Sequence, residues 1–239
     1  MGAIYRREMR AYFTTPIGYV FMIVFLMLAS SIFCLTTIQQ GERSNLFMYF
    51  TILIFLLIII IPILTMKSFS EEKKMRTEQL LLTSPISIAG MVAGKYFAAM
   101  TMYTGTLLVS ALNFYTIFKF AAEGSDPNVA SIVGNHIALI LVGSVFIAIG
   151  IFISSLTENQ LAAAIITVAV ILVLLVSGFL ADLIPFYPIR MVVKWISIFT
   201  RFSYFTYGIF DYSAVLYYLS ISFLFLFLTG RVFDKRRWG

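Results

Sequence analysis

The run FMYFTILIFLLIIIIPILTM, residues 47–66, contains no Asp, Glu, Lys or Arg. An α-helix rises about 1.5 Å per residue, so a run of this length crosses the roughly 30 Å hydrocarbon core of a bilayer. A helix that is apolar on all of its faces is either buried in a large protein or surrounded by lipid. The run therefore predicts a transmembrane helix.

Other runs of similar length and composition occur throughout the chain. Only 12% of its 239 residues are charged and 61% are hydrophobic, whereas a soluble domain has about 25% charged residues. The runs are continuous and lack the polar–apolar alternation of a transmembrane β-barrel. The sequence predicts an all-α membrane protein, one domain over residues 1–239, with six transmembrane helices. The other five runs are Ile17–Ile38, Tyr96–Phe118, Ile137–Leu156, Leu161–Ala181 and Tyr212–Gly230.

Basic residues cluster in the N-terminal segment, in the connection between the second and third runs, and in the C-terminal tail. Cytoplasmic segments of membrane proteins carry an excess of Lys and Arg. We therefore expect both termini and this connection to lie in the cytoplasm. The net positive charge of the chain also attracts anionic lipid headgroups. Because the basic residues flank transmembrane runs and form no stripe with aromatic residues, nucleic acid is not expected as a partner.

The N-terminal segment predicts an amphipathic helix over residues 1–16. Arg6, Arg7 and Arg10 fall toward one face, and a set of apolar residues falls near the other face. Such a helix lies in the membrane interface. A charged flank without this helix remains the alternative reading. The apolar set is Ile4, Tyr5, Met9, Tyr12 and Phe13.

The connection between the fifth and sixth runs, residues 182–211, is long, aromatic and partly apolar. Connections of this length usually have a function or a structure of their own. Met191, Trp195, Ile198 and Phe202 recur at helical spacing. We expect interfacial or re-entrant helices on the outer side of the membrane.

The sequence shows no pattern for catalysis or metal binding. His136 is the one histidine and Cys34 the one cysteine, and GMVAGKY, residues 90–96, lacks the spacing of a phosphate-binding loop. Lys95 is interpreted as the cytoplasmic anchor of the third helix. The apolar runs carry no charged residue that would mark an ion path. We therefore expect no enzyme activity, no cofactor and no internal energy source.

The segment FSEEKKMRTEQLLLTSPIS, residues 69–87, combines a charged stretch with three leucines and a Thr-Ser-Pro turn. It predicts a cytoplasmic helix with i,i+4 pairs between Glu72 and Arg76 and between Lys74 and Glu78. A solvated helix explains the charges alone. The leucines favour a docking element, since a free loop has no reason to display them.

Three stretches together resemble the permeases of ABC-2-type transporters, in particular their gliding-motility branch. They are FSEEKKMRTEQLLLTSPISIAGMVAGKY at 69–96, IYRREMRAYFTTPIGYV at 4–20, and FTRFSYFTYGIFDYSAVLYYLS at 199–220. One departure concerns Arg76, because the family often has glycine before the Thr-Glu pair.

The resemblance implies a half-transporter of the bacterial plasma membrane that pairs with a second permease copy, or with a related permease. A separate cytoplasmic ATPase would bind ATP and Mg²⁺ and supply the energy, and an auxiliary membrane subunit with an external domain is a further possible partner. The expected function is export. A membrane scaffold or force-transmitting component, and a passive channel or ion-coupled carrier, remain alternatives.

The resemblance also assigns roles to individual positions. The helix at residues 67–87 would couple to the ATPase, the N-terminal helix would also contact it, and residues 182–211 would form a re-entrant pair near the external exit. The coupling residues would be Glu71, Glu72, Thr77, Glu78, Leu81 and Pro85. The N-terminal contacts would be Arg6, Arg7 and Arg10, and the external residues Phe202, Phe205, Gly208 and Asp211.

Overall fold

The computed structural model describes residues 1–38, 46–79, 87–120, 129–206 and 210–238, and these residues form helices without strands. A π-helical turn, Cys34–Ile38, extends α2, and a short 3₁₀ turn, Ala111–Asn113, joins α5 to α6. The helices are α1 Gly2–Thr14, α2 Pro16–Phe33, α3 Leu46–Thr65, α4 Ser70–Lys74, α5 Ile88–Ser110, α6 Phe114–Phe120, α7 Val129–Leu156, α8 Gln160–Ala181, α9 Tyr187–Ile196, α10 Ile198–Thr206 and α11 Tyr212–Trp238.

Six helical stretches of the described residues are long and apolar enough to cross a membrane, as the sequence predicts. They are Pro16–Ile38, Leu46–Lys74, Ile88–Lys119, Val129–Leu156, Gln160–Ala181 and Tyr212–Arg237. The third and fourth begin earlier than predicted. Lys95 and His136 interrupt the apolar runs there, but both side chains are buried within the protein, so the helices continue through them.

Helix α7 is the centre of the bundle. It packs against α3, α5, α8, α10 and α11, and 78% of its most apolar 18-residue stretch is buried. The corresponding stretches of α2, α8 and α11 are only 22–28% buried and turn apolar side chains outward. This is the arrangement of a membrane bundle, where lipid or another apolar partner replaces water around the outer helices.

Glycine on α7 allows two neighbouring helices to approach it closely. A Cβ atom on Gly143 would overlap the ring of Tyr103 on α5, and one on Gly150 would overlap Thr65 at the end of α3. Tyr103 is fully buried and donates a hydrogen bond of 2.7 Å from its hydroxyl to the Leu139 carbonyl of α7. Small residues at helix crossings are the usual basis of close packing in membrane bundles.

The two ends of the bundle differ in character. The basic end carries α1, α4 and the C-terminal turns of α11, and α1 packs along α5. The opposite end carries α9 and α10, which pack on α8 and α7. The expectation of short helices in the 182–211 connection is met, but the four residues that recur at helical spacing do not lie on one helix. The chain is extended at Ser197 between α9 and α10, so Ile198 and Phe202 are buried while Met191 and Trp195 stay exposed.

We expect Gly143→Ala to lower the free energy of unfolding by about 1–3 kcal/mol, because the added methyl group must displace a buried, hydrogen-bonded tyrosine. Gly105→Ala is the matched control, since a Cβ there meets no atom within 4 Å and alanine has the higher helix propensity. Denaturant unfolding in detergent micelles measures both variants. Equal stabilities would show that the crossing of α5 and α7 is loose.

Candidate functional site

The connection between α3 and α5 is described as far as residue 79, and residues 67–79 are called the connector below. The connector is not the single helix predicted for residues 67–87. Helix α4 ends at Lys74, and Arg76 adopts a left-handed conformation with φ of 56°. The Arg76 N–H donates to the Lys73 carbonyl (3.1 Å) and the Thr77 N–H to that of Glu72 (2.9 Å). These bonds form a Schellman motif, which ends a helix and prefers glycine at the left-handed position.

The start of α4 is fixed by a side chain from the central helix. Ser154 of α7, which is fully buried, accepts hydrogen bonds from the backbone N–H groups of Phe69 (3.0 Å) and Ser70 (3.1 Å). Its hydroxyl donates to the Met66 carbonyl at 3.1 Å. The N–H groups of a helix start have no partner within the helix. Ser154 satisfies two of them and attaches the connector to α7.

A buried ion cluster joins the connector to α1 and α5. The ammonium group of Lys95, only 2% exposed, lies 3.0 Å from a carboxylate oxygen of both Glu8 and Glu72 and 2.5 Å from the Ser68 carbonyl. An ammonium group has three N–H donors, so all three are used. Arg7 pairs with the same two carboxylates, and the Phe69 ring centroid lies 4.8 Å from the Lys95 nitrogen.

The cations of the cluster favour the charged form of Glu8. Burial favours the neutral form of the Glu8 carboxyl, but Lys95 and Arg7 outweigh burial and lower the pKa of Glu8 below its ordinary value of 4.5. The two cations and two carboxylates balance. Sequence reasoning missed Glu8, and it interpreted Lys95 as the cytoplasmic anchor of the third helix without foreseeing that its ammonium group is buried. The available signal was a lysine placed about two turns inside a helix.

A second linkage holds the far end of the connector. Arg236 of α11 donates to the Glu78 carboxylate at 2.8 Å and to the Ser155 carbonyl at 2.9 Å, while Lys73 donates to the Leu156 carbonyl at 3.3 Å. These carbonyls belong to the last turn of α7, where the helix dipole favours cations. The predicted pairs of Glu72 with Arg76 and of Lys74 with Glu78 are therefore wrong, because the helix that would align them ends at Lys74.

The predicted coupling residues divide into two groups. Glu71 and Thr77 are exposed, whereas Glu72 and Glu78 have only 16% and 15% of their side chains exposed and bind other helices. Leu81 and Pro85 lie outside the described residues.

In α1 the three arginines are not equivalent. All three are exposed, but Arg7, with 48% of its side chain exposed, also belongs to the ion cluster. Ile4 is the buried apolar residue of this helix and packs at Gly94 of α5, where a Cβ atom would lie only 3.1 Å from Ile4. Of the predicted apolar set, Ile4 is therefore buried within the protein, whereas Phe13 is 46% exposed on its surface.

The predicted external residues also divide. Phe202 and Phe205 of α10 are fully buried, and Gly208 lies outside the described residues. Asp211 caps α11 by accepting the Ser213 N–H at 2.9 Å. Tyr218 of α11 donates to the Ile198 carbonyl at 2.9 Å, so α11 holds the bend between α9 and α10 in place.

Within the described residues, no group of three His, Cys, Asp or Glu is positioned to hold a metal ion. The described residues at the basic end instead form a mechanical connection between helices. Four helices and the connector are bonded to one another by ion pairs and capped helix ends. The connector is therefore bonded to α1, α5, α7 and α11 at once.

Comparison with protein families gives one match over nearly the whole chain. The family model described as "ABC-2 family transporter protein" matches residues 3–236. A search among curated proteins finds no match.

Replacing Lys95 tests the ion cluster. We expect Lys95→Met to lower the free energy of unfolding by about 3–5 kcal/mol, because it leaves two buried carboxylates with Arg7 as their remaining cation. Lys74→Met, at an exposed position of the same segment, should change it by less than about 0.5 kcal/mol. Denaturant unfolding in micelles measures both. Similar small effects would mean that the cluster contributes nothing to stability.

Replacing Arg76 tests the Schellman motif. Arg76→Val should destabilise the protein by about 1–2 kcal/mol, since a β-branched residue is strained at positive φ. Arg76→Gly should be neutral or stabilising by up to about 1 kcal/mol. Met75→Val, at a neighbouring exposed position with φ of −81°, is the control. The left-handed turn is refuted if Val is tolerated equally at both positions.

Proposed function

The chain belongs to the ABC-2 transporter family and is the membrane permease subunit of an ABC transporter, and we propose that it serves an exporter driven by a separate cytoplasmic ATPase. ATP and Mg²⁺ bind to that ATPase, and the permease itself carries no cofactor and catalyses no reaction. The observation that carries this proposal is the bonding of the connector to four helices at the basic end.

We place this protein in the gliding-motility branch, in the bacterial plasma membrane, with its basic end in the cytoplasm. The matching N-terminal and C-terminal stretches support the branch, and the distribution of Lys and Arg supports the orientation. The active unit is a dimer of two permease copies, or of this chain with a related permease. An auxiliary membrane subunit with an external domain is a further proposed partner.

The exposed side of the connector is the proposed contact with the ATPase. Glu71 and Thr77 are exposed on the connector, and Arg6 and Arg10 of α1 add exposed cations at the same end. Leu81 and Pro85 lie outside the described residues, and we propose them as coupling residues on the sequence resemblance. Glu72 and Glu78 are bound within the permease, so of the two expected roles, contact and transmission, we propose transmission for them.

Closure of the ATPase on ATP would displace the connector. Because Glu72 is tied to Lys95 and Arg7, and Glu78 to Arg236, the displacement reaches α1, α5 and α11 as one unit. Ser154 carries it into α7. Small shifts at one site become larger ones when packed elements move as rigid bodies. We propose that this movement opens a path for the transported molecule between two permease copies.

A second function uses the same linkage. Since α7 fills the centre of the bundle, the transport path does not run through the middle of one copy. The linkage could instead transmit force to cell-envelope components without moving a solute. Measuring ATP hydrolysis alone does not distinguish export from force transmission. Measuring the uptake of a solute into inverted vesicles does distinguish them.

Charge reversal at the exposed positions tests the docking role. Glu71→Lys combined with Thr77→Asp should weaken co-purification of the co-expressed ATPase by about tenfold or more, because mismatched charges at an interface cost several kcal/mol. Unfolding of the permease should be unchanged, since both side chains are exposed. Arg190→Glu, at the opposite end, is the control. Unchanged co-purification and an unchanged ATPase rate would refute docking at the connector.

A further inference from the structure

Arg201 of α10 is held at the end of the bundle opposite the connector by two aromatic rings and one hydroxyl. Its guanidinium carbon lies 4.3 Å from the ring centroid of Tyr217 and 5.6 Å from that of Trp195. The guanidinium nitrogen Nη1 donates a hydrogen bond to the Ser213 hydroxyl at 3.2 Å. These four residues, called the Arg201 cluster below, bring together α9, α10 and α11.

The aromatic rings of the Arg201 cluster orient the guanidinium. Tyr217 is buried, and its hydroxyl donates to the Ile196 carbonyl at the end of α9, which fixes the plane of its ring. The Trp195 ring meets it edge to face, with the ring centroids 5.9 Å apart. A guanidinium that stacks on an aromatic ring keeps its N–H groups available at its edges. Because it is already oriented, binding an anion costs it little further entropy.

Most of the hydrogen-bonding capacity of Arg201 is unused. A guanidinium has five N–H donors, and Ser213 provides the one acceptor that Arg201 binds among the described residues. The side chain is partly exposed, so a ligand can reach it. Asp211 is close along the chain, but its Oδ1 accepts the Ser213 N–H at 2.9 Å and caps α11. Within the described residues, no ion pair joins Asp211 to Arg201.

The Arg201 cluster lies at the depth of lipid headgroups. Ser213 and Tyr217 are in the first two turns of α11, which is long and apolar enough to cross a membrane. Exposed tryptophan and tyrosine side chains are typical of the membrane–water interface, and Trp195 and Tyr212 are 66% and 76% exposed. Leu216, three residues after Ser213 on the same face of α11, is also exposed. This face therefore changes from cationic to apolar within one helical turn.

We propose that the Arg201 cluster binds the phosphate group of a phospholipid. The phosphate accepts hydrogen bonds from the free N–H groups of Arg201, whose planar fork suits phosphate oxygens. The acyl chains continue past Leu216 along the apolar face of α11. A lipid without a phosphate offers the same chains but no anion. The proposal requires neither the ATPase nor a transported solute, so it stands or falls separately from the proposed function.

The fluorescence of Trp195 reports on lipid at this place. The chain has two tryptophans, Trp195 and Trp238, so Trp238→Phe leaves Trp195 as the single one. This full-length variant in detergent is titrated separately with phosphatidylglycerol, phosphatidylcholine and a galactosyl diacylglycerol, each brominated on its acyl chains to quench tryptophan. We expect both phospholipids to reach half-quenching at about a tenfold lower mole fraction than the galactolipid, because each makes a charge-assisted hydrogen bond. Equal quenching by the galactolipid overturns the proposal.

Removing the cation tests the phosphate contact. In the same background, Arg201→Gln should abolish the preference for phospholipids. Arg190→Gln is the matched control, because Arg190 also lies over a tyrosine, Tyr187 at 5.5 Å, but both residues belong to α9. The control should keep the preference. A preference that survives Arg201→Gln, or that is lost in both variants, shows that Arg201 is not the specific contact and overturns the proposal.

A substitution that leaves Arg201 in place separates binding from folding. Ser213→Asp puts a carboxylate beside the guanidinium, which should occupy it and abolish the phospholipid preference. The isosteric, neutral Ser213→Asn should keep the preference, and denaturant unfolding in micelles shows whether both variants are folded. If folded Ser213→Asp keeps the preference, the proposal is wrong.

Two other anions give different results. Inorganic phosphate has no acyl chains, so an excess of it should not restore the quenched fluorescence of Trp195. Restoration would identify a site for a free anion and overturn the lipid proposal. If Ser213→Asp leaves the phospholipid preference intact but separates the permease dimer on size exclusion, Arg201 binds a carboxylate of the second copy, and the lipid site is refuted.

Discussion

The burial of one ammonium group, that of Lys95, constrains the whole basic end of this protein. A lysine only 2% exposed is tolerated because acceptors surround it, and those acceptors come from separate parts of the chain. Glu8 lies on α1, and Glu72 and the Ser68 carbonyl belong to the connector. Moving the connector alone would leave Glu72 without a cation, and moving α5 alone would leave Lys95 without a carboxylate. The connector and α5 must therefore keep their positions together or rearrange together, and α1 adds Glu8 and Arg7 to their contact.

The last turn of α7 provides the second constraint. Its carbonyls have no partners within the helix, and cations from the connector and from α11 bind them. The same turn supplies Ser154, which caps α4 in return. The central helix and the connector thus satisfy each other's unpaired backbone groups. In the function that we propose, this reciprocal bonding would give the ATPase a rigid point of attachment that reaches the bundle core.

The sequence was sufficient for those features that depend on local composition. Six apolar runs predicted six helices, and the aromatic connection predicted α9 and α10. It was insufficient for contacts between distant residues. Glu72 was paired with Arg76 because a local rule was applied to a helix assumed to be continuous. Its actual partners, Arg7 and Lys95, are brought to it only by the packing of α1 on α5. The same holds for Lys95, which was interpreted as a cytoplasmic anchor, because its burial depends on acceptors from α1 and the connector.

Arg76 shows how a departure from a family pattern can carry structural information. The permeases that this chain resembles often have glycine at this position. The structure gives a reason for that preference, because Arg76 has φ of 56° and ends α4 in a Schellman motif. A left-handed conformation costs a non-glycine residue about 1–2 kcal/mol, yet the turn is retained. Two sets of ion pairs, one on either side of the turn, hold it in place. Glu72 is bound to Lys95 before the turn, and Glu78 is bound to Arg236 after it. The connector is bent because both of its ends are anchored, and its exposed surface is presented at that bend.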